Sequence, residues 1–167
     1  MSFVGFLVKE KYENDFENIL KRTINDGVIA INEKSISNVK NVHFETIVID
    51  RNIKAEFEDD LNAIIKMARY LIINADKLDI NKIRGLNVTI ITYGFNNKST
   101  ITASSVEEDD MLICLQRNIE GINGKEIECQ ELKLCTEEKV EDAYLQMALS
   151  TIKLLYNYKI IVKKTKI

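Results

Sequence analysis

Apolar residues along the chain follow two recurring patterns. Compact runs rich in β-branched and aromatic side chains predict a buried strand at Phe3 to Val8, central strands at Val28 to Ile31 and Phe44 to Ile49, and a further strand at Val88 to Ile91. Between them, apolar positions recur at helical spacing. Phe16, Ile19, Leu20, Thr23 and Ile24 mark one amphipathic helix, and Phe57, Leu61, Ile64, Ile65, Ala68, Leu71 and Ile72 mark a longer one. Asn14 with Glu17 three places on approximates a capping box for the first helix, and Gly27 offers a left-handed residue to end it. Glu58, Asp59 and Asp60 fall in the first turn of the second, where the helix dipole favours acids.

After Thr92 the pattern turns to strand-like alternation. Lys98 to Val106 and Met111 to Ile119, joined by the acidic turn Glu107 to Asp110, predict a hairpin. Asn123-Gly124 ahead of Glu126 to Leu134 predicts a third antiparallel strand that pairs back on the second. Val140, Ala143, Tyr144, Met147, Ala148, Thr151, Leu154 and Leu155 mark a closing helix capped by Thr136, with a lysine-rich tail beyond it. Strands alternating with helices, then a meander and a helix, predict an α/β fold of three layers, its sheet mostly parallel with an antiparallel C-terminal meander. With 167 residues, 46% of them hydrophobic, the chain is long enough for one core, and a single domain over 1–167 is expected.

Charge removes several function classes. A net charge of -3 leaves no basic footprint for nucleic acid or an anionic membrane surface. No apolar run approaches the roughly 20 residues that a membrane helix needs. Met1 to Leu7 shows no secretory leader pattern. Cys114, Cys129 and Cys135 are odd in number, widely spaced and without a Cys-x-x-Cys pair, which predicts reduced thiols in a cytoplasmic protein.

In their order, the elements resemble the ATP-binding central domain of Mur ligases, the P-loop fold that adds amino acids to peptidoglycan precursors. Val48-Ile49-Asp50-Arg51-Asn52-Ile53 is similar to the family's strand ending in Thr-Asn-Ile, with Arg51 where threonine is usual. Asn74-Ala75-Asp76-Lys77 resembles its Asn-Ala-Asp-Asp, and Thr92-Tyr93-Gly94-Phe95 resembles its aromatic-glycine strand end. Thr100 to Val106 is similar to its Ala-Asp-x-x-Ala-x-x-Ile hairpin. The resemblance implies a P-loop-type sheet and a connection to the cell envelope.

The chemistry of that family is what the chain lacks. Phosphoryl transfer needs a glycine-rich turn whose amides wrap the phosphates, a lysine to neutralise charge, and a hydroxyl on Mg²⁺. Where the resemblance would put that loop, Val8 to Asn14 contains no glycine, and Glu13, Asp15 and Glu17 follow at the helix start, where they repel an anion. Lys54-Ala55-Glu56 stands where the family carries an Asp-His pair, and no segment resembles the ligase domain that brings the incoming amino acid. These losses predict a protein that is not an enzyme and takes no cofactor.

What the resemblance leaves is one edge of the nucleotide site, formed by Asn74, Asp76, Tyr93 and Asn96. Asn and Asp at a strand exit can hydrogen-bond a base or ribose and Tyr93 can stack on it; the same residues can equally cap a turn and fill the core. Other groups carry less. His43 is the only histidine, so two-histidine chemistry is absent and a structural role is expected. Glu56, Glu58, Asp59 and Asp60 offer oxygens for Mg²⁺ or Ca²⁺ but read as a solvated cap, so no metal is expected. Cys114 sits among Leu112, Ile113 and Leu115 without a basic neighbour and reads as a buried thiol. Ser99, Thr100, Thr102, Ser104 and Ser105 lack a nucleophile elbow and read as a polar strand face. The expected function is a non-catalytic binding or scaffolding protein that contacts another protein or itself. The alternatives are a sensor of a small nucleotide or peptidoglycan precursor, and a metal-dependent hydrolase built on the Glu56 to Asp60 acids.

Overall fold

The apolar runs form the strands of a computed structural model that describes residues 2–24, 27–83, 85–106, 110–135 and 142–157. The described residues are α/β, with eight strands in mixed, mostly parallel pairing and a separate two-stranded antiparallel pair. They divide into two compact units, Met1–Ile91 and Thr92–Ile167.

In the first unit, β1 (Phe3–Leu7) is followed by α1 (Glu13–Thr23), β2 (Gly27–Ala30), β3 (Phe44–Ile49), α2 (Glu58–Lys66), β4 (Tyr70–Asn74) and the start of β5 (Thr89–Tyr93). β1 pairs in parallel with β2 and β3, and β3 with β4, so the order is β4-β3-β1-β2. The run at Val28 to Ile31, expected as a central strand, is instead the half-buried edge strand β2, with a neighbour on one side only. From β1 the chain crosses to one side, and from β3 to the other. Right-handed crossovers in opposite directions put α1 and α2 on opposite faces. Alternation along the strands agrees with this: Phe6 meets Phe16 of α1 edge-to-face, with ring centroids 5.3 Å apart. Leu7, Ile47, Ile49, Leu71 and Ile73 instead join one buried cluster with Leu61, Ile64 and Ile65 of α2. Strands covered on both faces are apolar at nearly every position, which is why the runs at β1, β3 and β4 are so compact.

Three local expectations are corrected. The second helix stops at Lys66, and Leu71 and Ile72 belong to β4. A fully buried strand puts an apolar side chain everywhere, so helical spacing continues through it by coincidence. Gly27 is not a left-handed terminator: α1 gives way to an extended Ile24 at φ −129°, and Gly27 opens β2. Its lack of a side chain answers the close approach of Phe3, whose ring an added Cβ would strike at Cδ1 and Cε1. Nor does Asn14 cap α1. A 3₁₀ turn over Glu10–Tyr12 leads directly into the helix, with Tyr12 at the N-cap position and no side-chain cap.

The second unit completes β5 and adds β6 (Ile101–Val106), β7 (Asp110–Leu115), β8 (Ile119–Glu120), β9 (Glu126–Ile127), β10 (Gln130–Cys135) and α3 (Ala143–Leu155). β6 and β7 form the expected antiparallel hairpin, with a bulge between Ala103 and Ser105. The expected third strand is two pieces: β9 turns away to pair with β8, and β10 returns to pair with β7. Gly124, at φ +77°, makes the tight turn between β8 and β9. α3 packs on β6, and its Leu145, Ala148 and Ile152 are buried. Asp142 caps it, accepting from the amides of Tyr144 and Leu145. The acidic turn at 107–109, the proposed cap Thr136, Val140 and the lysine-rich tail lie outside the described residues.

Candidate functional site

Because β1, β3 and β4 run in parallel, their carboxyl ends line one edge of the first unit, the edge where open α/β sheets hold their ligands. The crossovers leaving β1 and β3 diverge, so the switch point lies between those two strands. Arg51, just past β3, occupies it. Its Nε donates to the Val8 carbonyl at 2.7 Å, and its two terminal nitrogens donate to the two carboxylate oxygens of Glu33, each at 3.2 Å. One side chain thus ties together the segments that follow β1, β2 and β3. The Arg51 guanidinium, followed by a local backbone hydrogen bond, holds the Glu33 carboxyl below its ordinary value against a smaller opposing effect of burial.

The surrounding crevice, about 450 Å³, is lined by Glu10, Glu13, Glu33 and Glu56 against Lys34, Arg51 and Lys54. Glu13 and Asp15 stand in the first turn of α1, so the positive end of that helix is already met by its own acids.

Immediately before Arg51, Asp50 follows β3 and is 1% exposed. Its Oδ1 accepts from Asn74 Nδ2 at 2.8 Å and its Oδ2 from Lys77 Nζ at 3.0 Å. Asn74 is fully buried, and its own Oδ1 accepts from the amides of Asp76 at 3.1 Å and Lys77 at 3.3 Å. Both ends of the Asn74 amide are therefore occupied within the protein, forming an Asx turn that stops β4. Asp76 is exposed on that turn.

Tyr93 and Asn96 lie in the second unit. Tyr93 is fully buried, so neither ring face is open for stacking. Asn96 is exposed and builds a turn, with its Oδ1 accepting from Lys98 N at 2.9 Å and its carbonyl from Ser99 N at 3.0 Å. Of the four residues expected at a ligand edge, Asn74 and Asp76 thus share one turn, and Tyr93 and Asn96 serve the core and a turn of the other unit.

Beside Asp50 and Lys77 opens a cavity of about 260 Å³ that the sequence reading did not single out. The β3–α2 connection, α2 from Glu58 to Ile65 and the segment after β4 line it. Ile53, Leu61, Ile65, Leu78 and Ile83 supply aliphatic wall, while Asn62, Glu58, Asp79 and Lys82 supply polar groups. The helical spacing of Leu61 and Ile65 was visible in the sequence, and Asn62 beside them was the available signal.

The remaining candidates are accounted for locally. Asp60 pairs with Lys40 at 2.6 Å, while Glu56, Glu58 and Asp59 are exposed. Among the described residues, no three His, Cys, Asp or Glu side chains are grouped to hold a metal ion. His43 is exposed ahead of β3. Cys114 is half-buried, and burial, then the nearby Glu131 and Cys129, push its thiol up. The hydroxyl set is not one polar strand face: Ser99 and Thr100 precede β6 and are buried, with the Thr100 amide donating to Thr92 Oγ1 at 2.8 Å. Within β6, Thr102 is half-buried, Ser104 Oγ donates to the Leu112 carbonyl at 3.3 Å and Ser105 is exposed. Among the described residues, no helix is long and apolar enough to cross a membrane. No protein-family model matches the chain, and no curated protein matches it.

Proposed function

We propose that the chain is a non-catalytic, Mur-ligase-like binding protein, a reduced central domain that recognises a partner in place of transferring a phosphoryl group. One observation carries this reading. Where the resemblance would put the phosphate loop, the chain has a 3₁₀ turn and a helix start without glycine, facing a crevice that holds four glutamates. Arg51, the residue best suited to an anion, is committed to Glu33 and to the Val8 carbonyl. A polyphosphate entering there meets four carboxylates set against Lys34, Arg51 and Lys54, and no glycine-rich turn of wrapped backbone amides. The partner in this reading is another protein or a second copy of the chain, in the cytoplasm, with the envelope connection inherited from the resemblance.

Titrating the purified chain with MgATP in a calorimeter tests the claim. No saturable heat is expected, and tight magnesium-dependent binding overturns it. Sedimentation at rising concentration tests the partner: self-association supports the scaffold form, whereas a dispersed monomer leaves only a heterologous partner or a ligand. The cavity beside Lys77 favours a second reading, a small-ligand sensor without catalysis, because it joins an aliphatic wall to a few convergent polar groups.

A further inference from the structure

We infer that the cavity between α2 and the segment after β4 takes a free amino acid with a branched aliphatic side chain; this rests on the small-ligand form of the reading above. Size is the first constraint. At about 260 Å³ the cavity falls just below the range of drug-sized sites, which suits a compact ligand. Its wall is the second. Ile53, Leu61, Ile65, Leu78 and Ile83 are all aliphatic and, among the described residues, no aromatic ring lines the space, so a nucleobase finds nothing there to stack on whereas a leucine-like side chain finds close-packed partners.

The third constraint is charge. Two of the cations at the cavity are already engaged, Arg51 with Glu33 and Lys77 with Asp50. Asp79 accepts from the Asn81 amide and serves a turn. Lys82, Glu58 and Asn62 remain, and their side chains make no hydrogen bond or ion pair among the described residues. One uncommitted cation, one uncommitted anion and one amide around an aliphatic pocket complement a molecule carrying a carboxylate, an ammonium and an apolar side chain. A phosphorylated ligand would need more unpaired positive charge than Lys82, the one uncommitted cation among the described lining residues, supplies, and a neutral hydrocarbon would leave the polar groups idle.

The test is calorimetric titration and thermal shift of the full chain with L-leucine, L-isoleucine and L-valine. Leucinamide, which lacks the carboxylate, 4-methylpentanoate, which lacks the ammonium, and adenosine serve as controls. Saturable binding of at least one branched amino acid is expected, lost when either charge is removed from the ligand. Lys82→Met and Glu58→Gln should each weaken it about tenfold or more, the scale of one charge-assisted hydrogen bond. Both side chains are exposed, so circular dichroism of these variants should match the parent. Leu61→Trp, which fills the cavity, should abolish binding. Affinity that is indifferent to Lys82→Met and Glu58→Gln overturns the inference. If only adenosine or the singly charged analogues bind, and Leu61→Trp blocks them, the sensor reading stands and the zwitterion chemistry falls. If none binds at millimolar concentration, the inference falls and the sensor reading loses its support, while the scaffold form is untouched.

Discussion

Asp50 and Asn74 show how a polar pair becomes inseparable from the fold. The parallel register sets Ile49 against Ile73, so the next residues along, Asp50 and Asn74, emerge side by side at the strand ends. Truncating Asn74 to alanine removes a donor from a buried carboxylate and also opens the turn that stops β4. We expect Asn74→Ala to cost about 2–4 kcal/mol in urea denaturation, the range for disturbing a buried charged hydrogen bond. A residue kept only for a ligand would leave the midpoint unchanged. The turn-forming capacity of Asn74 was legible in the sequence. Its partner, 24 positions away, was not, because strand register is a tertiary property. Arg51 was visible only as a departure from threonine, and its bond to Glu33 required knowing that the segments leaving β2 and β3 converge past the end of β1, which lies between those strands. That pair has a pH signature. A carboxyl whose folded value is lowered adds stability that is complete above its unfolded value and disappears as pH falls through the folded one. The stability gap between the parent and Glu33→Gln should therefore be widest near neutrality and close as the solution becomes strongly acidic. A gap that does not change with pH would show that the ion pair contributes nothing.

At the scale of elements, the same compact patterning that made β1, β3 and β4 easy to find as buried segments made their type ambiguous. Leu71 and Ile72 extend the helical spacing of Leu61, Ile64, Ile65 and Ala68, but the chain has already turned: the Met67 and Ala68 amides bond back to Ile64 and Ile65, and the Arg69 amide reaches the Glu45 carbonyl. Density of β-branched residues, not period, was the discriminating signal there. The glycines of paired strands divide on similar grounds. A Cβ at Gly5 would come within 2.7 Å of Ile31 Cδ1 and 2.8 Å of Phe44 Cε1, both on fully buried side chains. At Gly27 it would meet the Phe3 ring, which is only half-buried and can swing outward. Gly5→Ala is expected to destabilise by about 1–3 kcal/mol, the usual cost of overpacking a filled core. Gly27→Ala should lose distinctly less in the same thermal melt, and equal losses would mean that Phe3 is held as firmly as Phe44.

For the whole molecule, the decisive feature is where the two units meet in the sequence. The boundary between Ile91 and Thr92 falls inside β5. The start of that strand is anchored in the first unit by the Thr89 amide on the Arg69 carbonyl, at 3.0 Å. Its end is anchored in the second by pairing of Tyr93 with Ile101 and by the Gly94 amide on the Ile101 carbonyl, at 3.1 Å. Independent domains are joined by exposed linkers that few contacts cross, and a strand whose two halves belong to different units is the opposite arrangement. Unfolding one unit removes the partners of one half of β5 and frees the ends of the other half, so the loss should propagate through the backbone. Equilibrium urea unfolding is therefore expected to be a single transition. Far-UV circular dichroism should report both units together. Tyrosine fluorescence from variants that keep only Tyr70 or only Tyr93, buried in the first and second units respectively, should share its midpoint. Two separated midpoints, with the Tyr70 and Tyr93 signals tracking different ones, would make each unit a domain in its own right.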